Sequence, residues 1–141
     1  MEPSEAFPAL QDEGYVKTSD ASQRYNCIAW AAGDDQFIWW PDRMGQLYWP
    51  EAAPRKATLH AFVRMFQSLG YEQCKTAGAE DGMEKVAIYV KGYQPTHAAR
   101  QLPTGEWTSK LGSWIDITHT LKGLEGPEYG KVAEIMSRHL E

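Results

Sequence analysis

Residues 84–111 read E-K-V-A-I-Y-V-K-G-Y-Q-P-T-H-A-A-R-Q-L-P-T-G-E-W-T-S-K-L, and their period decides the fold. Glu84–Val90 is short, β-branched and aromatic, the composition of a strand. Pro95–Gln101 and Trp107–Leu111 flank L-P-T-G-E, whose proline and glycine make a turn, so together they form a hairpin. Beyond the hairpin, Trp114–Ile117 reads as a further extended piece. Thr118 caps a helical turn ending near Gly126-Pro127. In the tail, Tyr129–Met136 is read as a strand, although Val132, Ala133 and Met136 also suit a helix.

Upstream the period is helical. Leu59, Phe62, Val63, Phe66 and Leu69 recur at i, i+3, i+4, i+7 and i+10, and Gly70 follows. That spacing predicts an amphipathic helix over Thr58–Leu69. The run C-I-A-W-A-A is apolar on every side, with Asn26 before it as a cap and Gly33 after it as a stop. A helix apolar all round is buried, so a short central helix is expected over Asn26–Ala32, with Cys27 in its first turn. Between the helices, Gly33–Pro54 is an aromatic-rich connection punctuated by prolines, with room for a short strand pair. Residues 1–21 read as a loosely ordered leader, and 22–141 as a single domain. Helices first and strands afterwards give an α+β domain whose short buried helix packs on a mostly antiparallel sheet.

Composition narrows the function classes. The 141 residues would leave two cores about 70 residues each, so one domain is expected. Fourteen basic and nineteen acidic side chains give a net charge of −5, and no basic run offsets it, so a duplex nucleic acid partner is not expected. No apolar stretch approaches the roughly 18 residues of a membrane span. The N-terminal M-E-P-S-E-A-F-P has no secretory pattern. Cys27 and Cys74 are too few for a disulfide framework, and reduced thiols fit a cytoplasmic protein.

The reactive inventory is two cysteines and four histidines. The cap before Cys27 sets helix amides beside its sulfur, which favours thiolate and could hold an oxyanion. His97 follows on the first hairpin strand, the order that a thiol nucleophile and imidazole base require. An inert core cysteine and a structural histidine are the competing readings of these two. Cys74 has no partner at metal-ligand spacing, so no metal is expected. His60, His119 and His139 read as surface residues, and Glu106 and Lys110 as an exposed charged face. Trp39, Trp40, Tyr48 and Trp49 belong either to the core or to a groove.

The segments Y-N-C-I-A-W-A-A-G-D, W-W-P, Y-W-P and P-T-H-A-A-R-Q-L-P-T-G-E-W-T-S-K-L-G resemble an uncharacterised family of small bacterial domains. Those motifs are similar to a circle of papain-like cysteine hydrolases and amidases. The resemblance implies a papain-like fold, with Cys27 as nucleophile and His97 as base. It implies a peptide or other amide-containing substrate and no cofactor. The orienting group would lie on the next strand. With an even-length turn Thr108 and Lys110 would share His97's face, and neither is a usual orienter. Asp116 has the chemistry to fix a tautomer and is the expected third residue. Asn26 would cap the helix or line the oxyanion site, and Trp39, Trp40 and Trp107 would contact substrate. The rival reading is a non-catalytic module that grips a protein or glycan partner with Trp39, Trp40, Trp49 and Trp107.

Overall fold

The computed structural model describes residues 2–140; Met1 and Glu141, which end the expected leader and domain, lie outside them. Seven strands form one antiparallel sheet: β1 Tyr15–Ser19, β2 Glu72–Cys74, β3 Met83–Lys91, β4 Gln94–Gln101, β5 Trp107–Lys110, β6 Asp116–His119 and β7 Lys131–His139. Their order across the sheet is β1-β6-β5-β4-β3-β7-β2. The helices are short: α1 Pro3–Ala6, α2 Leu10–Glu13, α3 Cys27–Ala32 and α4 Leu59–Ser68. No described helix is long and apolar enough to cross a membrane.

This architecture corrects the papain-like α+β expectation. Strand accounts for 33% of the chain and helix for 19%, so the fold is mostly β. Segments without a sequence period supply the difference. Residues 15–19 lie in the supposed leader, yet they pair with β6 as an edge strand. Phe7 and Leu10 are buried against the sheet, so the leader is anchored at both steps. An edge strand needs only one hydrogen-bonded neighbour and one buried face, and leaves little hydrophobic pattern to read.

Side chains alternate across the strands and divide the core in two. Val86, Ile88, Ala98 and Met136 face α3, α4 and the aromatic connection. Ala87, Tyr89, Ala99, Trp107 and Ile117 face the opposite way, beneath the N-terminal segment and the β6–β7 connection. The amphipathic helix forms as its spacing predicts, with Thr58 Oγ1 accepting from the Ala61 amide at 3.1 Å. Phe62, fully buried, meets Trp40 and Trp49 at ring separations of 5.4 and 5.1 Å. Within the aromatic connection a bridge pairs Trp39 with Tyr48, the Trp40 amide donating to the Tyr48 carbonyl at 3.0 Å and the Tyr48 amide to the Ile38 carbonyl at 3.2 Å. The turn after β6 is capped by Thr120, not Thr118: its Oγ1 accepts from the Gly123 amide at 3.1 Å, ahead of a 3-10 turn at Lys122–Leu124.

Candidate functional site

Asn26 fixes the start of α3. Its Oδ1 accepts from the amides of Ala29 and Trp39, each at 3.1 Å, and its Nδ2 donates to the Trp39 carbonyl at 2.8 Å. With its polar atoms committed in this way, Asn26 clamps the helix to the aromatic connection. Cys27 follows, 7% exposed. Its sulfur faces the backbone amide of Ala98 on β4, and the amides of Cys27 and Ile28 also favour the thiolate. Burial outweighs them and pushes the thiol up to about 11. The expected thiolate is therefore not formed at neutral pH, because desolvation of a charge costs more than a few amide dipoles return.

His97, one residue before Ala98, points to the other side of β4. Its ring stacks on Tyr129 at 4.1 Å and meets Tyr89 edge-on at 5.4 Å. Register explains what lies beside it. Arg100 pairs with Thr108 and Gln101 with Trp107, leaving the five residues 102–106 in the turn. That odd length puts Ser109 on His97's face, whereas Thr108 and Lys110 face α3. An even-length turn would put Thr108 and Lys110 there instead.

A buried polar chain starts at this point. His97 Nε2 lies 2.8 Å from Ser109 Oγ, which lies 2.6 Å from His119 Nε2, and His119 Nδ1 lies 2.6 Å from the Thr120 carbonyl. The carbonyl only accepts, so His119 carries its proton on Nδ1 and accepts at Nε2. The Ser109 hydroxyl donates to that nitrogen and therefore accepts from His97 Nε2–H. By elimination His97 Nδ1 is a bare lone pair. It is fully buried and has no hydrogen-bond partner, a deficit worth about 1–3 kcal/mol.

His119, 4% exposed, is thus an interior residue and not the surface histidine expected. Periodicity could not reveal this, because the cue was the turn length. Asp116 does not orient His97. It lies on the α3 face, and its Oδ2 accepts from the Tyr25 hydroxyl at 2.7 Å. Lys110 is fully buried rather than exposed, while Glu106, His60 and His139 are exposed as expected.

Cys27 and His97 sit in separate core layers, yet close to the same stretch of β4. The pairing of β4 with β5 stops at Arg100–Thr108, so the strands part beside both residues. The Tyr129 hydroxyl, whose ring covers His97, is pushed up by burial first and then by Cys27. No hydrogen bond joins sulfur to imidazole. The tryptophans assigned to substrate or to a partner are largely interior. Trp39, Trp49 and Trp107 are buried, Trp39 Nε1 donates to Asp34 at 2.7 Å, and half-buried Trp40 packs on Phe62. Three of the four tryptophans that the binding-module reading names are thereby buried. Among the described residues, no group of three or more His, Cys, Asp or Glu is arranged to hold a metal ion.

Two consequences are measurable. Burial lowers His97 well below its usual 6.5 and His119 to about 4. Both imidazoles then take up protons on unfolding at pH values below 6.5, so stability is full above 6.5 and falls as pH drops towards 4. His119 alone contributes about 3 kcal/mol across that window. Urea denaturation at pH 7.5 and pH 4.5 is expected to show the loss, and His119→Gln to reduce it. Alkylation is the second: with the thiol near 11, folded Cys27 is expected to label more slowly than half-buried Cys74 from pH 7 to 9. Peptide mapping after iodoacetamide treatment reads both.

A thiol behind a capped helix start, and across β4 from it an imidazole oriented through a serine and a second imidazole, define a candidate thiol site on a mostly-β scaffold. Residues 16–137 match the family described as a domain of unknown function, DUF7689, and the chain belongs to it. No curated protein and no solved structure matches the chain.

Proposed function

We propose that the chain is a thiol hydrolase acting on an amide or ester carbonyl, with Cys27 as nucleophile and His97 as base. The observation that carries this reading is the bare Nδ1 of His97, fixed by the Ser109–His119–Thr120 chain and left without a partner in the interior. Buried polar groups are almost always satisfied, and an oriented exception on the strand that Cys27 packs against suits a proton acceptor.

The chemistry follows from two neutral groups. A thiol near 11 and an imidazole well below 6.5 do not form a resting ion pair. The proton instead leaves sulfur for Nδ1 as the sulfur attacks the carbonyl carbon. Ser109 and His119 hold the ring and stabilise the imidazolium that forms. His97 then returns the proton to the leaving group, and a water deprotonated by the same nitrogen releases the acid from the thioester. A panel of peptide amides and esters, followed by release of amine and acid, tests the proposal. Turnover by the native protein and its absence in a folded Cys27→Ala variant are expected; equal turnover by both overturns it.

A further inference from the structure

On the face of the sheet that carries α3, two buried charged residues lack their full set of partners. Lys110 and Asp116 are directly opposed in the β5–β6 register, which sets their Cβ atoms about 5 Å apart. Both are fully buried. Lys110 Nζ donates to the Trp114 carbonyl and lies 5.1 Å from the centre of the Tyr25 ring. An ammonium has three donors, so two remain unspent. Asp116 Oδ2 accepts from Tyr25, while its Oδ1 has no partner at all. No ion pair joins the two among the described residues. Burying an ammonium and a carboxylate in this way is costly unless something else completes them.

Cys27 borders this pair. Tyr25, which holds Asp116 and lies under Lys110, is two residues before it, and Lys110 and the thiol influence each other's charge. Tyr129, from the opposite layer, is the other titratable group on which the charge of the thiol acts. Cys27 and Tyr25 keep 7% and 9% exposure, the little surface that this otherwise enclosed cluster retains.

We propose that Lys110 and Asp116 are the recognition end of the Cys27 site and that they select a primary carboxamide. The assignment rests on Cys27 as the nucleophile. A carboxamide offers one acceptor and one donor pair on a planar group: its C=O takes a proton from Lys110, and its NH2 gives one to Asp116 Oδ1. An ester or ketone leaves Oδ1 empty, and a carboxylate sets like charges together. Bound in this way, the carboxamide loses its C–N bond as the S–C bond forms. The thiol proton, carried by His97, leaves with the NH2 as ammonia. Water then cleaves the thioester to a carboxylic acid and restores the thiol.

The test uses two alkylating agents of equal size, iodoacetamide and iodoacetone, of which only the first has N–H donors. Rates are read at Cys27 and Cys74 by peptide mapping at pH 9. The iodoacetamide-to-iodoacetone ratio at Cys27 is expected to exceed that at Cys74 by at least about tenfold, a 1.4 kcal/mol preference. Asp116→Asn is expected to bring the two ratios together, with the Cys74 rate unchanged as the sign of an intact fold. In the native protein, propionamide should protect Cys27 from methyl methanethiosulfonate, and isosteric 2-butanone should not. Equal ratios at the two native cysteines, as when only water bridges the pair, overturn the assignment, as does a preference that survives in folded Asp116→Asn. A preserved preference without amide turnover leaves this recognition standing and removes the hydrolase reading; turnover without the preference does the reverse.

Discussion

Gly130→Ala is expected to destabilise the protein by about 3–5 kcal/mol, combining a left-handed backbone with an irreducible clash. Gly130 has φ +76°, and a Cβ there would stand 2.0 Å from the Val90 carbonyl oxygen and 2.7 Å from the Lys91 Cα. Both are backbone atoms, so no side-chain rotation relieves the contact. Gly130 and Gly126 also exchange backbone hydrogen bonds of 2.8 and 3.0 Å. That clip seats the start of β7 on β3 and sets the adjoining Tyr129 over His97. Gly92→Ala is the comparison. Its φ is +66°, but nothing lies within 4 Å of the added carbon, so only the conformational cost of about 1–2 kcal/mol remains. Urea unfolding of the two variants separates the effects. Equal losses would mean that the close approach of β3 to residue 130 is not maintained in solution.

His97→Ala is expected to lower amide or ester turnover by about 10²–10⁴-fold, the usual worth of a positioned general base. Ser109→Ala removes only the link to His119, so the imidazole survives but its tautomer is no longer fixed. A smaller fall is expected there, together with a change in the ring's state. Long-range proton–nitrogen NMR reads that state directly: His97 protonated on Nε2 in the native protein, and a mixture in Ser109→Ala. His119 should carry its proton on Nδ1 throughout. Loss of activity in Ser109→Ala with an unchanged His97 tautomer would assign the serine a purely structural role.

How much of this was legible depends on which interactions leave a local trace. Cys27–Ala32 and Leu59–Ser68 were readable because their signals lie within a few residues: Asn26 and Gly33 bracket the first, and a five-position apolar stripe marks the second. The strands at 83–91, 94–101 and 107–110 were readable from β-branched composition and the Pro/Gly turn. The layer assignment was not. Whether Ser109 or Lys110 faces His97 depends on one residue of turn length, and a one-residue slip exchanges every side chain between faces. Asp116 was therefore assigned to His97 although the register puts it under Tyr25, and Ser109 and His119 were missed. The edge strand Tyr15–Ser19 escaped for a related reason: three of its five side chains are exposed, so partner β6 and not apolar alternation defines it. The burial of Cys27 was legible in its all-apolar helix; what spacing could not show is that burial outweighs the helix amides and so decides the charge of the thiol.

The most direct measurement is the location of an acyl group after brief reaction with 4-nitrophenyl acetate at pH 8, read by intact mass and peptide mapping. One acetyl group is expected, on Cys27, released by neutral hydroxylamine as a thioester is, and absent from folded His97→Ala. Acetylation confined to Cys74 or to lysines, or equal acetylation of Cys27 with and without His97, would contradict a Cys27–His97 hydrolase.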